Sequence, residues 1–311
     1  MPALTLEDRF AGCLLGLATG DALGTTLEFK RPGTFAPLTD MVGGGPFGLQ
    51  PGQWTDDTSM ALCLAESLIE TRTFDPVDQL ERYWRWYTQG HLSSTGVCFD
   101  IGNTTRAALN RFDQYKEPYP GPTDPNTAGN GSLMRLAPVP MRYANQAREA
   151  IERSAESSRT THGAPTAIDA CRYFGGLLVA ALNGVEKAAL LSERYSPVGQ
   201  AWSPTALHPE IDQVAAGAFK TKQPPNIRGS GYVVHTLEAA LWAFFHTDTF
   251  RDGALMVVNL GEDADTTGAV YGQIAGAYYG LSGIPPEWVA KLTQRAYIHA
   301  QADKLRELAG M

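Results

Sequence analysis

The chain has 311 residues, 43% of them hydrophobic, with a formal net charge of −8 and a pI near 5.3. That is enough apolar material for a sizeable core, in one large domain or two ordinary ones. The acidic balance argues against a nucleic acid or an anionic membrane surface as partner, though a phosphate-bearing ligand stays open if metal ions and backbone N–H groups supply positive field locally. The four cysteines (Cys13, Cys63, Cys98, Cys171) are widely spaced and form no C-x-x-C, so neither a disulfide framework nor a zinc site is expected. The N-terminus lacks a basic stretch followed by an apolar one, and no uninterrupted apolar run reaches membrane-spanning length. These features point to a cytoplasmic protein of a reducing compartment.

In chain order, Thr5 to Asp8 reads as a capping box opening a helix over Phe10–Leu23. Gly12, Gly16, Gly20 and Gly24 recur every four residues, and Gly268, Gly272, Gly276 and Gly280 repeat the pattern late in the chain. Glycine inside a helix costs about 1 kcal/mol relative to alanine. Two such stripes predict two helices that approach closely, against each other, bringing the loops at their ends together. Glu28–Gln53 is rich in Gly and Pro and too long for a plain connector, which suggests a lid over an active site.

Trp54-Thr-Asp-Asp-Thr-Ser59 then opens an apolar run with Met60, Leu64 and Leu68 on one face. Thr55 or Asp56 is a natural N-cap, and acidic residues suit the first turn of a helix. Helices follow at Pro76–Gln89 and Asn103–Phe112, then a Gly/Pro/Asn-rich stretch over Lys116–Gly131. Further helices are expected at Ala144–Ser158, Pro165–Asn183, Glu186–Tyr195 (short and polar), Tyr232–His246, Thr249–Asn259 and Pro286–Leu308, with Ala201–Ser230 as loop. No segment alternates apolar and polar residues convincingly. The expectation is a single all-α domain spanning residues 1–311, with long functional loops around a metal cleft.

Asn259–Gly268 reads N-L-G-E-D-A-D-T-T-G. Glu262, Asp263 and Asp265 fall within four residues, and no Lys or Arg stands among them. Capping and the helix dipole account for one acid at a helix start, not for two or three. Carboxylates this dense call for a cation, and hard ions such as Mg²⁺ or Mn²⁺ take carboxylate, hydroxyl and water oxygens. The Thr55–Asp57 cluster has the same character, so the two read as halves of one metal site. Glu28, following the first striped helix, is a candidate carboxylate beside the metals. Asp100, in C-F-D-I-G-N-T-T-R, is a candidate pocket carboxylate, although capping by Asp100 or Asn103 explains the segment equally well. Asn130-Gly131-Ser132-Leu-Met-Arg135 combines a turn with a helix start. Exposed N–H groups there and the Arg135 charge suit a phosphate. His162 with Ser132 and Arg135 could cradle one, and Tyr232 could stack on a base.

Taken together, W-T-D-D-T-S-M, G-D-A-L-G, D-I-G-N-T-T, G-N-G-S-L-M-R, T-T-H-G-A-P and G-E-D-A-D-T-T-G-A-V-Y-G-Q-I-A-G-A-Y-Y-G resemble the ADP-ribosylglycohydrolase family, in order from Gly12 to Gly280. The resemblance implies an all-α fold with two Mg²⁺ or Mn²⁺ ions and hydrolysis of the bond between ADP-ribose and a protein side chain. It assigns Thr55, Asp56, Asp57, Asp263, Asp265 and Thr266 as metal ligands. Asp100 and Asn103 match the arginine-type enzymes, with Asp100 beside the ribose. Asn130, Gly131, Ser132, Met134 and His162 fall in ADP-ribose-holding segments. Glu28 matches a mobile glutamate of the serine-linkage branch, so Asp100 or Glu28 is the expected general acid/base. The expected partner is an ADP-ribosylated protein, most simply arginine-linked, met by a monomer. Three other readings stay open: a serine-linked substrate, a free ADP-ribose derivative or nucleotide, and a non-catalytic crystallin-like member.

Overall fold

The computed structural model describes residues 4–199, 202 and 206–311. Among these the regular structure is all helical, with no strand and only two isolated antiparallel bridges, Gly44 with Leu49 and Gly129 with Tyr232. The helices are α1 (Leu6–Gly24), α2 (Asp56–Thr71), α3 (Pro76–Gln89), α4 (Asn103–Tyr115), α5 (Pro138–Arg142), α6 (Ala147–Arg159), α7 (Pro165–Leu182), α8 (Lys187–Leu190), α9 (Pro209–Ala215), α10 (Val233–His246), α11 (Phe250–Val258), α12 (Ala264–Tyr279), α13 (Pro286–Lys291) and α14 (Arg295–Leu308).

The two glycine-striped helices, α1 and α12, pack antiparallel against each other at the centre. A Cβ on Gly12, Gly16 or Gly20 would run into the carbonyl oxygens of Gly276, Gly272 or Gly268 respectively, and the reverse substitutions would clash in the same way. The backbones therefore touch where side chains would ordinarily stand between helices 8–10 Å apart. Alanine at any of these positions would force the pair apart, and packing density leaves little room for that. The contact ends with Gly24 against Ala264 and Asp265, so the C-terminus of α1 meets the acidic N-terminus of α12. Although Leu6–Leu27 is apolar enough to span a membrane by composition, with mean hydropathy 1.2, its window is 94% buried inside the fold. It is the core helix, a length of apolar chain that the glycine pattern interrupts on paper but not in space.

Thr5 Oγ1 accepts from the Asp8 amide at 3.1 Å, the forward half of the expected capping box. The reciprocal half is missing, because Asp8 instead accepts from Ser282 N and Oγ at 3.0 and 2.7 Å. The expected helix over Pro286–Leu308 is broken between α13 and α14. Gln294 is left-handed with φ 54°, Thr293 N donates to Gly52 O at 2.9 Å, and Trp54 Nε1 donates to Thr293 O at 3.2 Å. The break thus receives the loop that leads into α2. Helix α9 lies inside the segment expected to be loop, whose residues 201 and 203–205 fall outside the described set. The polar segment Glu186–Tyr195 forms only the single turn of α8.

The segment Glu28–Gln53 is mostly not a lid. Leu38 exchanges hydrogen bonds with the Asn259 amide at 2.7 and 3.0 Å. Asp40 accepts from Trp288 Nε1 at 2.5 Å and pairs with Lys291 at 3.2 Å. These contacts hold the segment against α11 and α13. Only its first two residues, Glu28 and Phe29, reach the cavity described below.

Candidate active site

A cavity of about 750 Å³, within the usual range for a small-molecule site, opens where the ends of α1, α2, α4 and α12 converge. Its lining includes Glu28, Asp56, Asp100, Glu262 and Asp263, with Asn103, Asn130, Gly131, Met134, His162 and Thr266. No Lys or Arg is among its described lining residues.

Behind it lie Asp57 and Asp265, each 1% exposed or less, on the first turns of α2 and α12. The fully buried Thr55 hydroxyl ties them together, 3.0 Å from Asp57 Oδ2 and 3.2 Å from Asp265 Oδ2. Two carboxylate triads meet at Asp265. Oxygens of Asp21, Asp57 and Asp265 lie within 4.8 Å of one another, as do those of Glu28, Asp100 and Asp265. Like charges this close and this dry cannot all stand ionised without a counter-ion.

The carboxyl groups register that strain. Asp56, Asp57 and Asp265 are pushed well above the usual range, by burial first and by neighbouring carboxylates second. Burial raises Asp263 too, against donors that include the Asn130 amide, 2.7 Å away. Burial and then the Asp100 charge push Glu28 to about 10. Burial and then Asp263 push Asp100 to about 7. One oxygen each of Glu28, Asp57 and Asp265 is buried and has no hydrogen-bond donor. Orphaned, buried carboxylate oxygens facing one another are the donor set of a hard divalent cation, so these residues fit one.

Asp21 is the residue that sequence reasoning missed. It is fully buried on α1 and accepts from Thr55 N (2.8 Å), Thr55 Oγ1 (2.9 Å), Thr58 N (3.0 Å) and Thr58 Oγ1 (2.6 Å). The N-terminus of α2 is therefore capped from a different helix. Thr55 stands at the N-cap position but makes no side-chain cap, and its hydroxyl is left for the carboxylates. Burial raises Asp21 to about 6 despite those donors. The available signal was one acid inside an otherwise apolar, glycine-striped helix.

The proposed phosphate cradle is partly wrong. Arg135 is fully buried and points away from the cavity. It donates to Gly131 O at 2.7 Å and to Thr160 and Thr161 Oγ1 at 3.1 and 2.7 Å, and it stacks over Tyr83 at 4.6 Å. These partners take up both terminal nitrogens of the guanidinium, while Nε is left without one. The Ser132 hydroxyl is fully buried too and pairs with Ser158 Oγ at 2.8 Å. Neither residue lines the cavity. Tyr232 does not line it either: its hydroxyl donates to Glu210 at 2.7 Å, while its backbone bridges Gly129. Its neighbours Ser230 and Gly231 face the cavity instead.

His162 does line it, held neutral because burial, then the Arg135 charge, lower it to about 3. A Cβ on Gly131 would stand 2.8 Å from His162 Cε1, so glycine at that turn is what lets the ring lie against the loop. Asn130 Nδ2 reaches both Asp263 and Thr236. Asp100 does not cap α4, since Gly102 holds that position with no side-chain cap. Asn103 accepts from Arg106 at 2.6 Å. The first turn of α4 (Asn103, Thr104, Thr105) lines the cavity, and no side chain caps it. Glu262 sits at the edge, paired with Arg228 at 2.8 Å.

The ADP-ribosylglycohydrolase family model matches residues 2–311. An ADP-ribosylarginine hydrolase, Tri1, of Serratia proteamaculans is 45% identical over 97% of this chain and 80% of its own length. The ADP-ribosyl-[dinitrogen reductase] glycohydrolase of Rhodospirillum rubrum is 34% identical over the full length of both chains. A solved structure described as an ADP-ribosylglycohydrolase-related protein complex superposes with a TM-score of 0.86 at 45% identity, covering 98% of this chain and 99% of that one. With its helical fold and carboxylate-walled cavity, the chain belongs to the ADP-ribosylglycohydrolase family.

Proposed function

We propose that this protein removes ADP-ribose from modified arginine side chains of target proteins, with two divalent cations, Mg²⁺ or Mn²⁺, in the carboxylate cluster. The observation that carries this reading is the crowding of buried carboxylates under the cavity, where Asp57 and Asp265 each leave one oxygen without a donor. Relatives at 45% and 34% identity that are named for ADP-ribose removal support it.

The water-facing ligands would be Asp56, Asp263 and Thr266, which line the cavity, and the deeper ones Thr55, Asp57 and Asp265. Cations held by these residues would offset the clustered negative charge and supply Lewis-acid activation of water. The chain's own groups do the rest. Asp21 fixes the first turn of α2, so Thr55, Asp56 and Asp57 are presented from one rigid element. The uncapped amides at the start of α4 offer an anion site for the diphosphate. Met134, Gly131 and the neutral His162 form a further stretch of wall. Asp100 and Glu28 are the proton-handling pair. Asp100 lines the cavity beside the cluster, so its carboxyl can hold a proton for the departing guanidine nitrogen and accept one from the attacking water. Water adds across the glycosidic bond, ADP-ribose leaves and the arginine side chain is restored.

Release of ADP-ribose from arginine-modified and serine-modified protein, each with Mg²⁺, Mn²⁺ or chelator, tests this. Chelator-sensitive release from the arginine substrate is expected. Release from the serine substrate alone would shift the linkage and bring Glu28 forward. Bound metal with release from neither would mean that the substrate class is wrong.

A further inference from the structure

Phe29 immediately follows the buried Glu28, lines the cavity, and leaves 67% of its surface exposed. Its backbone is left-handed, φ 60°, a conformation that a bulky side chain rarely adopts. Two backbone hydrogen bonds hold it there: Phe29 N donates to Glu262 O at 2.6 Å, and Glu262 N to Lys30 O at 2.8 Å. Among the described residues eight non-glycines have positive φ, and three of them, Phe29, Asp100 and Glu262, line this one cavity. Strain gathered at one wall is a mark of a site that needs its side chains aimed. The cavity lining also carries the apolar Ile101.

Nothing in the core explains an exposed phenyl ring held in strain. The proton-handling carboxyls must face the scissile bond, so the leaving side chain departs past the wall that carries Glu28 and Phe29. In an ADP-ribosylated arginine the first group beyond that bond is a planar, cationic guanidinium, which packs on aromatic faces. We propose that Phe29 is a specificity-determining residue for the leaving side of the substrate, its ring packing against the guanidinium of the modified arginine. This rests on the arginine reading above. A serine-linked substrate offers the ring no cation and gains nothing from it.

The test uses the metal-loaded, full-length protein with Phe29→Leu, Phe29→Tyr and Phe29→Gly, measuring KM and kcat on arginine-modified protein and the affinity for free ADP-ribose, which lacks the guanidine. Phe29→Leu should raise KM about 3- to 30-fold, the span of a cation–π contact, while ADP-ribose affinity stays within about twofold. Phe29→Tyr should remain near wild type. Glycine accepts φ 60° without strain, so Phe29→Gly should keep its Tm and still show the raised KM, which separates the ring's role from a structural one. Unchanged KM in Phe29→Leu overturns the proposal, as does a parallel loss of ADP-ribose affinity, which would assign the ring to the ADP-ribose itself. If wild-type protein fails on the arginine substrate, the proposed function and this inference fall together. If wild type is active and the variants match it, this inference falls alone.

Discussion

The floor and the lip of the cavity are built on opposite principles. Asp57, Asp265, Thr55 and Asp21 are fully or almost fully buried; Thr55, Asp57 and Asp265 stand at helix starts, Asp21 in the last turn of α1, and α1 and α12 are locked backbone to backbone through glycine. Glu28, Phe29, Asp100 and Glu262 stand on loops, three of them left-handed, joined across the gap by paired backbone hydrogen bonds. The floor holds its carboxylates on packed helices, the rigidity that the proposed metal site would need. The lip carries groups that meet a substrate and let it go, which suits less rigid supports.

Substitutions at each level should separate the two. Asp265→Ala removes the residue shared by both triads. It should abolish metal binding and lower ADP-ribose release on the order of 10³-fold or more, since both charge stabilisation and water activation go with the cations. Asp100→Asn keeps the shape and removes the titrating oxygen. It should lower kcat about 10²- to 10⁴-fold while the bound metal, measured by elemental analysis, stays at the wild-type level. Loss of metal in Asp100→Asn would move Asp100 from the lip's chemistry to the floor's ligand set.

Gly20→Ala tests the support of the floor without touching a carboxylate. Its Cβ would collide with Gly268 O, an unyielding backbone atom. Overpacking of this kind costs about 1–3 kcal/mol, so Tm should fall and metal affinity with it, although no ligand has changed. Full stability would mean that the two helices can separate freely, and the rigidity argument would fail.

The smallest effect should be the pH dependence of the metal-stripped protein. Asp21, Asp100 and Glu28 bind protons more tightly folded than unfolded, at about 6, 7 and 10 against 3.8, 3.8 and 4.5. Groups raised on folding stabilise fully below their unfolded values and lose that contribution as pH rises through the folded ones. The stripped protein should therefore lose Tm between roughly pH 4 and 10, and divalent metal should restore it most at the alkaline end, where protons compete least. A stripped protein most stable at pH 8 would contradict the crowding of uncompensated carboxylates.

How far the sequence foretold this depends on whether the information was local. The two acid clusters sit within a few residues, so the chain itself displays their repulsion. The glycine stripes announce a close helix contact because only backbone contact explains so many glycines in helices. Asp21 was hidden because its partners, Thr55 and Thr58, are more than thirty residues away. Arg135 and Ser132 were misassigned because a charge or hydroxyl in a glycine-rich turn does not say which way it points, and both turn into the core. Phe29 gave no signal, since a left-handed backbone is set by tertiary hydrogen bonds. The lid expected over Glu28–Gln53 failed for the same reason: its anchors, Asn259 and Trp288, lie far along the chain.

The most direct test of the central claim, that Asp265 joins two cation positions in a rigid floor, is the number of Mn²⁺ ions bound per chain, counted by equilibrium titration in wild type and in Asp265→Ala. Two are expected in wild type and none in the variant at the same free Mn²⁺. A single ion in wild type, or an Asp265→Ala protein that keeps both, would contradict it.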